Sequence, residues 1–186
     1  MVIGSGMIAT EFRKYKSDDN IVIFASGVSD STHAAAEAYL RETTLLEDTI
    51  NRNNDKLLVY FGTCSIYDPS MKESSYVLHK IKMEERIIRN QKKYLIFRLS
   101  NVVGFTGNQN TVINYFVNKI ISNQPFELWQ LATRNVIDIS DMYKACDEIL
   151  QKRLYANTII NIANPFNYKV VHIIETIESH FNSKGN

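Results

Sequence analysis

The chain of 186 residues carries 21 Lys and Arg against 20 Asp and Glu, a formal net charge of +1, and 45% of it is hydrophobic. That composition supports one sizeable core and excludes an intrinsically disordered chain. A protein that grips a duplex shows a basic excess, so no nucleic-acid partner is expected, and a small ligand or a protein partner is. The two cysteines, Cys64 and Cys146, lack any partner motif, which argues against a disulfide framework and a Cys-based metal site and fits a reducing cytoplasmic location. No apolar run reaches the ~18 residues of a membrane span, and Met1 to Gly6 has neither the basic region nor the cleavage site of a signal peptide.

In chain order, Val2–Ile3 reads as a very short strand that runs into Gly4-Ser5-Gly6-Met7-Ile8-Ala9, a G-x-G-x-x-A pattern opening a helix over Ile8 to Lys16. One glycine permits the tight turn, the next lets a backbone approach a pyrophosphate, and the small Ala9 lets helix and strand pack closely. The same pattern also serves as a ligand-free strand-to-helix turn, so two readings stand. The fingerprint calls for an acidic residue ~20 positions on, to hold the adenosine ribose. The next strand, Ile21 to Ala25, runs into Ser26-Gly27 instead, with Asp18 and Asp19 before it.

A long helical stretch from about Ser31 to Arg52 follows, with Glu37 and Arg41 one turn apart and Tyr39, Leu46 and Ile50 able to share a face. The strand Leu57 to Phe61 leads into Gly62-Thr63-Cys64-Ser65-Ile66-Tyr67, and a helix from Val77 to Arg89 is preceded by Tyr76. Tyr76 and Lys80, four apart, share a helical face, so the ammonium favours the phenolate, while Thr63 from the strand end is suited to hydrogen-bond the same substrate oxygen. Tyr115 and Lys119 repeat the spacing inside an amphipathic helix, where a core Tyr and a solvated Lys are expected. Strands over Tyr94 to Leu99 and Thr158 to Ile162, and helices over Val112 to Ile121, Ser140 to Lys152 and Val170 to Phe181, complete the chain. Continuous rather than alternating apolar runs suit strands buried on both faces, and the alternation of strand and helix predicts right-handed βαβ units in an open parallel sheet. Ligands of such sheets bind beyond the carboxyl ends of the strands, where the strand order reverses. His33, His79, His172 and His180 have no metal-ligand spacing and read as solvated or helix-face residues, so no metal is expected. Trp129 reads as a rim or core aromatic.

Taken together, these residues resemble the extended short-chain dehydrogenase/reductases, the NAD-dependent epimerase/dehydratase group that modifies nucleotide sugars. The resemblance rests on Gly4 to Ala9, Ile21 to Ser26, Val59 to Tyr67, Tyr76 with Lys80, Arg98 to Gly104 and Arg134 to Asp141, in the family's order along nearly the whole chain. It implies a Rossmann-like α/β fold with helices on both faces of a mainly parallel sheet. It implies one domain over residues 1–186, with a small substrate-binding portion from about 101–139 and 163–186. Catalysis falls to Thr63, Tyr76 and Lys80. NAD or NADP is expected against Gly4, Ser5, Gly6, Met7, Ile8, Ala25, Ser26, Gly27 and Lys80, and a nucleotide sugar against Asn101 and Arg134. For Arg134 a surface ion pair with Asp138 or Asp141 is the alternative, and for Asn101 a plain turn role.

Two family strand-helix units, including the one bearing the ribose carboxylate, are missing between the first helix and Ile21. The span from Tyr67 to Tyr76 is short. Where the family's 4,6-dehydratases have Asp-Glu after the Thr, this chain has Cys64-Ser65, which favours keto-reduction or epimerisation over dehydration. The expectation is thus an NAD(P)-dependent nucleotide-sugar epimerase or reductase. Its rival is a non-catalytic family member that binds a nucleotide sugar or a protein partner. With a sheet edge removed, the first strand needs cover from a homo-oligomeric partner or from a shield of long side chains.

Overall fold

The computed structural model describes residues 1–28, 35–104, 111–152 and 156–185. The start of the expected long helix, over 31–34, therefore lies outside the described residues, as does His33. In order, β1 (Val2–Ile3) leads to α1 (Met7–Glu11), which tightens into a 3-10 helix at Phe12–Ser17, then β2 (Ile21–Phe24), α2 (Ala36–Arg52), β3 (Leu57–Thr63) and α3 (Ser75–Asn90). Next come β4 (Lys93–Leu99), β5 (Asn101–Val103), α4 (Val112–Ile121), β6 (Thr133–Asp138), α5 (Ile139–Lys152), β7 (Thr158–Ile162), β8 (Asn167–Lys169) and α6 (Val170–Phe181).

The main sheet is parallel with the order β1-β2-β3-β4-β7. This is the expected Rossmann-like α/β sheet, clad on both faces. On one face Ile23, Val59, Phe61, Leu95 and Phe97 pack with Phe12 and Tyr15 of the first connection and with Met142, Cys146 and Leu150 of α5. Val22, Phe24, Leu58, Tyr60 and Ile96 point the other way, onto Leu46 and Ile50 of α2 and Met83 and Ile87 of α3. Strands alternate their side chains between faces, so each of these runs must be apolar at every position, which is the pattern the sequence shows. Phe12 anchors the first face, its ring 5.2 Å from that of Phe61 and 5.1 Å from that of Tyr143.

Two expectations need correction. Strand order never reverses across this sheet, so the described strands contain no switch point. The connections through α1 and α5 cross one face and those through α2 and α3 the other, all advancing in the same direction, so the two pairs have opposite hands. A monotonic sheet with right-handed crossovers throughout would place every helix on one face and leave the other bare. The hydrophobic face under α1 and α5 is covered only because those connections take the other hand.

Three short strands escaped the sequence reading. β5 pairs parallel with β6, and β6 antiparallel with β8. At three to six residues and without apolar runs, they owe their conformation to pairing rather than to pattern. Beside them α4 and α6 pack on each other through Phe116, Ile120, Val170, Ile174 and Ile177. No helix among the described residues is long and apolar enough to cross a membrane.

Candidate functional site

All five parallel strands end on the same edge, and every candidate residue lies on or near it. Gly4 ends β1 with φ +124°, and a Cβ there would meet the Ala25 carbonyl oxygen at 2.3 Å. Only glycine satisfies both the backbone angle and the contact. Gly6, by contrast, would carry its Cβ into open space, with nothing within 4 Å. The backbone of Ala25 is thus what the turn leans on, its N–H donating to the Ile3 carbonyl at 2.8 Å. Met7 and Ile8 turn their side chains toward the core, Met7 Sδ lying 3.0 Å from the Cβ position of Gly104. Ser5 is exposed. Ser26 receives the Arg41 guanidinium, at 3.0 Å on its hydroxyl and 3.1 Å on its carbonyl, so the cation expected to pair with Glu37 instead ties α2 to the end of β2.

Thr63, 6% exposed, closes β3 and accepts a hydrogen bond from the Ser65 N–H at 3.1 Å. That bond starts the short 3-10 turn Cys64–Tyr67. Ser74 caps α3 by accepting from the Val77 N–H at 3.2 Å, which sets Tyr76 in the first turn, half-buried, and Lys80 one turn on, buried. Lys80 reaches across to Tyr60 of β3. Lys80 Nζ lies 3.1 Å from its hydroxyl, and Tyr76 is among the groups that act on its ionisation. Burial holds the Tyr60 phenol well above its ordinary range, reinforced by the adjoining Glu42 carboxylate and then by Tyr76 and Glu84.

Glu42 is the hub that the sequence reading missed. This fully buried carboxylate of α2 receives the Tyr60 hydroxyl at 2.7 Å, the Val28 N–H at 2.7 Å and the Lys80 ammonium at 3.0 Å, and lies 3.0 Å from His79 Nε2. Burial alone would push its pKa up. The His79 hydrogen bond, then the Lys80 charge, the Val28 amide and the Tyr60 hydroxyl together hold it at about 2. His79, expected as a solvated or helix-face residue, is instead 8% exposed, with its ring centroid 4.8 Å from that of Tyr39. Gly27 makes room for this group: a Cβ there would lie 2.4 Å from Lys80 Nζ and 3.0 Å from Glu42 Oε1. A second buried carboxylate repeats the arrangement one strand over. Glu84 takes three hydrogen bonds from Arg98, the shortest 2.6 Å, and leans on Gly62, whose Cβ would lie 2.4 Å from Glu84 Oε1. Arg98 also donates to the Tyr67 hydroxyl at 3.0 Å, which fixes the segment after Thr63. The one sequence signal for either hub was a glycine at a strand end followed by an acidic residue in a facing helix.

Asn101 is exposed and its amide donates to the Asn135 carbonyl at 2.8 Å, bracing β5 against β6. Arg134 donates to its neighbour's carbonyl, that of Thr133, at 2.9 Å. Its positive charge also reaches Asp68, whose pKa lies below the ordinary value because Ser70 donates to it twice, with a smaller contribution from Arg134. Neither anticipated ion partner holds it, since Asp138 caps the Ser140 N–H at 2.8 Å and Asp141 pairs with Lys144 at 3.2 Å. Lys119 lies over the ring of the exposed Tyr115, 5.8 Å from its centroid, and Trp129 is 66% exposed.

The family model described as the NAD dependent epimerase/dehydratase family matches residues 8–163. No curated protein matches the chain. Among solved structures, a UDP-glucuronic acid 4-epimerase from Bacillus cereus in complex with NAD superposes with a TM-score of 0.76 at 16% identity, over 92% of this chain and 62% of that one. A UDP-N-acetylglucosamine 4-epimerase from Methanobrevibacter ruminantium M1 in complex with UDP-N-acetylmuramic acid gives 0.70 at 20% identity, over 92% and 63%. A UDP-glucose 4-epimerase complex with NAD from Thermus thermophilus gives 0.71 at 14%, over 96% and 67%. The chain thus spans roughly three-fifths to two-thirds of their lengths, and at these identities the likeness is one of fold. With the family model covering most of its residues, this chain belongs to the NAD dependent epimerase/dehydratase family.

Proposed function

We propose that the protein is an NAD(P)-dependent oxidoreductase or epimerase acting on a nucleotide sugar, with Thr63, Tyr76 and Lys80 as its catalytic residues. The observation that carries the proposal is the meeting of the β3 end and the first turns of α3 at the carboxyl edge of the sheet. There the first turns of α3 carry a half-buried Tyr76 and, four residues on, a buried Lys80 that bonds the Tyr60 hydroxyl of β3. Family membership and the sugar-nucleotide epimerases among the structural neighbours support the substrate class.

The turn after β1 bears directly on the cofactor. A positive-φ Gly4 and the open space over Gly6 suit the diphosphate of a dinucleotide. Gly4 to Ile8 and Ala25 to Gly27 would hold that part, and Lys80 the nicotinamide ribose. No described strand lies beyond β1 to offer the adenosine ribose a carboxylate. When bound, the nicotinamide supplies the site of hydride exchange. The chain's own residues do the rest: Tyr76 exchanges a proton with the substrate hydroxyl, and Thr63 orients that oxygen. Arg134 is suited to a diphosphate because its planar fork donates two parallel hydrogen bonds, and Asn101 stands beside it in the paired strand.

Tyr76→Phe tests this reading. Turnover of a panel of nucleotide sugars with NAD or NADP should disappear while the circular dichroism spectrum is retained. Undiminished turnover removes the mechanism. One observation favours the rival reading, a non-catalytic binding module: the Lys80 ammonium already has three protein acceptors, in Glu42, Tyr60 and Phe61. Titration with both nicotinamide dinucleotides separates the two, because a module binds neither saturably. For the open β1 edge we propose cover by a second copy of the chain, and a monomer at every working concentration would count against it.

A further inference from the structure

An ammonium has three N–H donors and no acceptor, so its partners can be counted. Lys80 Nζ lies 3.0 Å from Glu42 Oε1, 3.1 Å from the Tyr60 hydroxyl and 3.3 Å from the Phe61 carbonyl oxygen, and the residue is 3% exposed. Every donor therefore has a partner within the protein, yet the three are unequal. Glu42 is fixed by Val28 from the end of β2, Tyr60 from β3 and His79 from α3. The Tyr60 hydroxyl is fixed in turn, because it donates to Glu42 at 2.7 Å while accepting from Lys80. The Phe61 carbonyl is neutral and gives the longest contact, and it sits two residues before Thr63. Of the two neutral acceptors the Phe61 carbonyl gives the longer contact, 3.3 Å against 3.1 Å for the Tyr60 hydroxyl, so the Phe61 contact is the first to yield.

We propose that Glu42 and Tyr60 are positioning residues for Lys80: they hold two of its N–H donors and leave the third, now on the Phe61 carbonyl, to be handed to a ribose hydroxyl of the dinucleotide. This rests on the role given to Lys80 above. Gly27 belongs to the same device, since its missing side chain is what lets the ammonium lie against the end of β2. The other ionisable neighbours are His79 on Glu42, and Tyr76 and Glu84 around Tyr60. None of them bonds the ammonium.

The test compares Tyr60→Phe, Glu42→Gln and Lys80→Ala with the unaltered protein by two measurements that need no turnover. In the first, lysines are acetylated with a limiting acylating reagent and each site is quantified by peptide mass spectrometry. Lys80 should be protected in the unaltered protein and react about tenfold faster in Tyr60→Phe, the yield expected for one lost hydrogen bond, with the other lysines unchanged. In the second, NAD and ADP are titrated separately. Tyr60→Phe and Glu42→Gln should each weaken NAD about tenfold and leave ADP, which lacks the nicotinamide ribose, unaffected. Lys80→Ala should lose the same NAD affinity, and adding Tyr60→Phe to it should cost nothing more. Both positioning variants are measured at a temperature where circular dichroism shows each folded, so that either suffices if the other is too unstable. If the unaltered protein binds NAD and both variants bind it equally well with Lys80 no more reactive, the inference is overturned and the cofactor reading survives. If the unaltered protein binds no NAD, the cofactor reading falls and takes this inference with it.

Discussion

Glu42→Gln exchanges one oxygen for an amide nitrogen in a site with no exposed surface, and its effect follows from the four groups around it. The folded protein holds the carboxyl at about 2, below the 4.5 of the free side chain. Because the folded value is depressed, the stabilisation is fully present above the unfolded value and is lost as pH falls through the folded one. A shift of this size corresponds to about 3 kcal/mol near neutrality. The variant also leaves the Lys80 ammonium without its anion, and breaking one side of a buried pair costs ~3–5 kcal/mol. Urea unfolding near neutral pH should thus show a loss of ~3–5 kcal/mol, which at a slope of ~1–3 kcal/mol per molar displaces the midpoint by one to several molar. Repeated toward about pH 3, the gap between the two proteins should narrow, because the unaltered carboxyl then loses its advantage. A difference below about 1 kcal/mol near neutrality, or one indifferent to pH, would refute the reasoning about this hub.

Gly4→Ala should destabilise the fold by at least ~1–3 kcal/mol in chemical denaturation, since it combines an unfavourable φ with a backbone collision at Ala25. Gly6→Ala should leave the same denaturation curve almost unmoved, there being nothing within 4 Å of the new methyl, yet weaken dinucleotide binding by calorimetry because it fills the space proposed for the diphosphate. Equal binding by both Gly6 forms would remove the dinucleotide from that turn. Phe12→Ala, a deletion at a position with no exposed surface, should cost ~3–5 kcal/mol in the same unfolding assay, and a loss below ~1 kcal/mol would show that the first connection contributes little to its face of the sheet.

Local patterning made the elements legible. The runs at Ile21, Leu57, Tyr94 and Thr158 are apolar at consecutive positions because both faces of the sheet are covered, and helices such as Val112–Ile121 and Val170–Phe181 announce themselves by a repeating apolar stripe. The positions of Gly4, Thr63, Tyr76 and Lys80 on strand ends and helix starts could be read the same way, since a turn glycine and a four-residue spacing are local facts. The partners of those residues could not. Glu42 lies 38 residues from Lys80 and 18 from Tyr60, and an acidic residue within a helix looks solvated until a neighbouring strand and helix close over it. The same holds for His79, which is buried by Tyr39 and Glu42 rather than by anything beside it in the chain. Crossover hand was decided at this level too. A strand sequence fixes which residues pair with a sheet, but only the need to cover both of its faces sends α1 and α5 to the opposite side from α2 and α3.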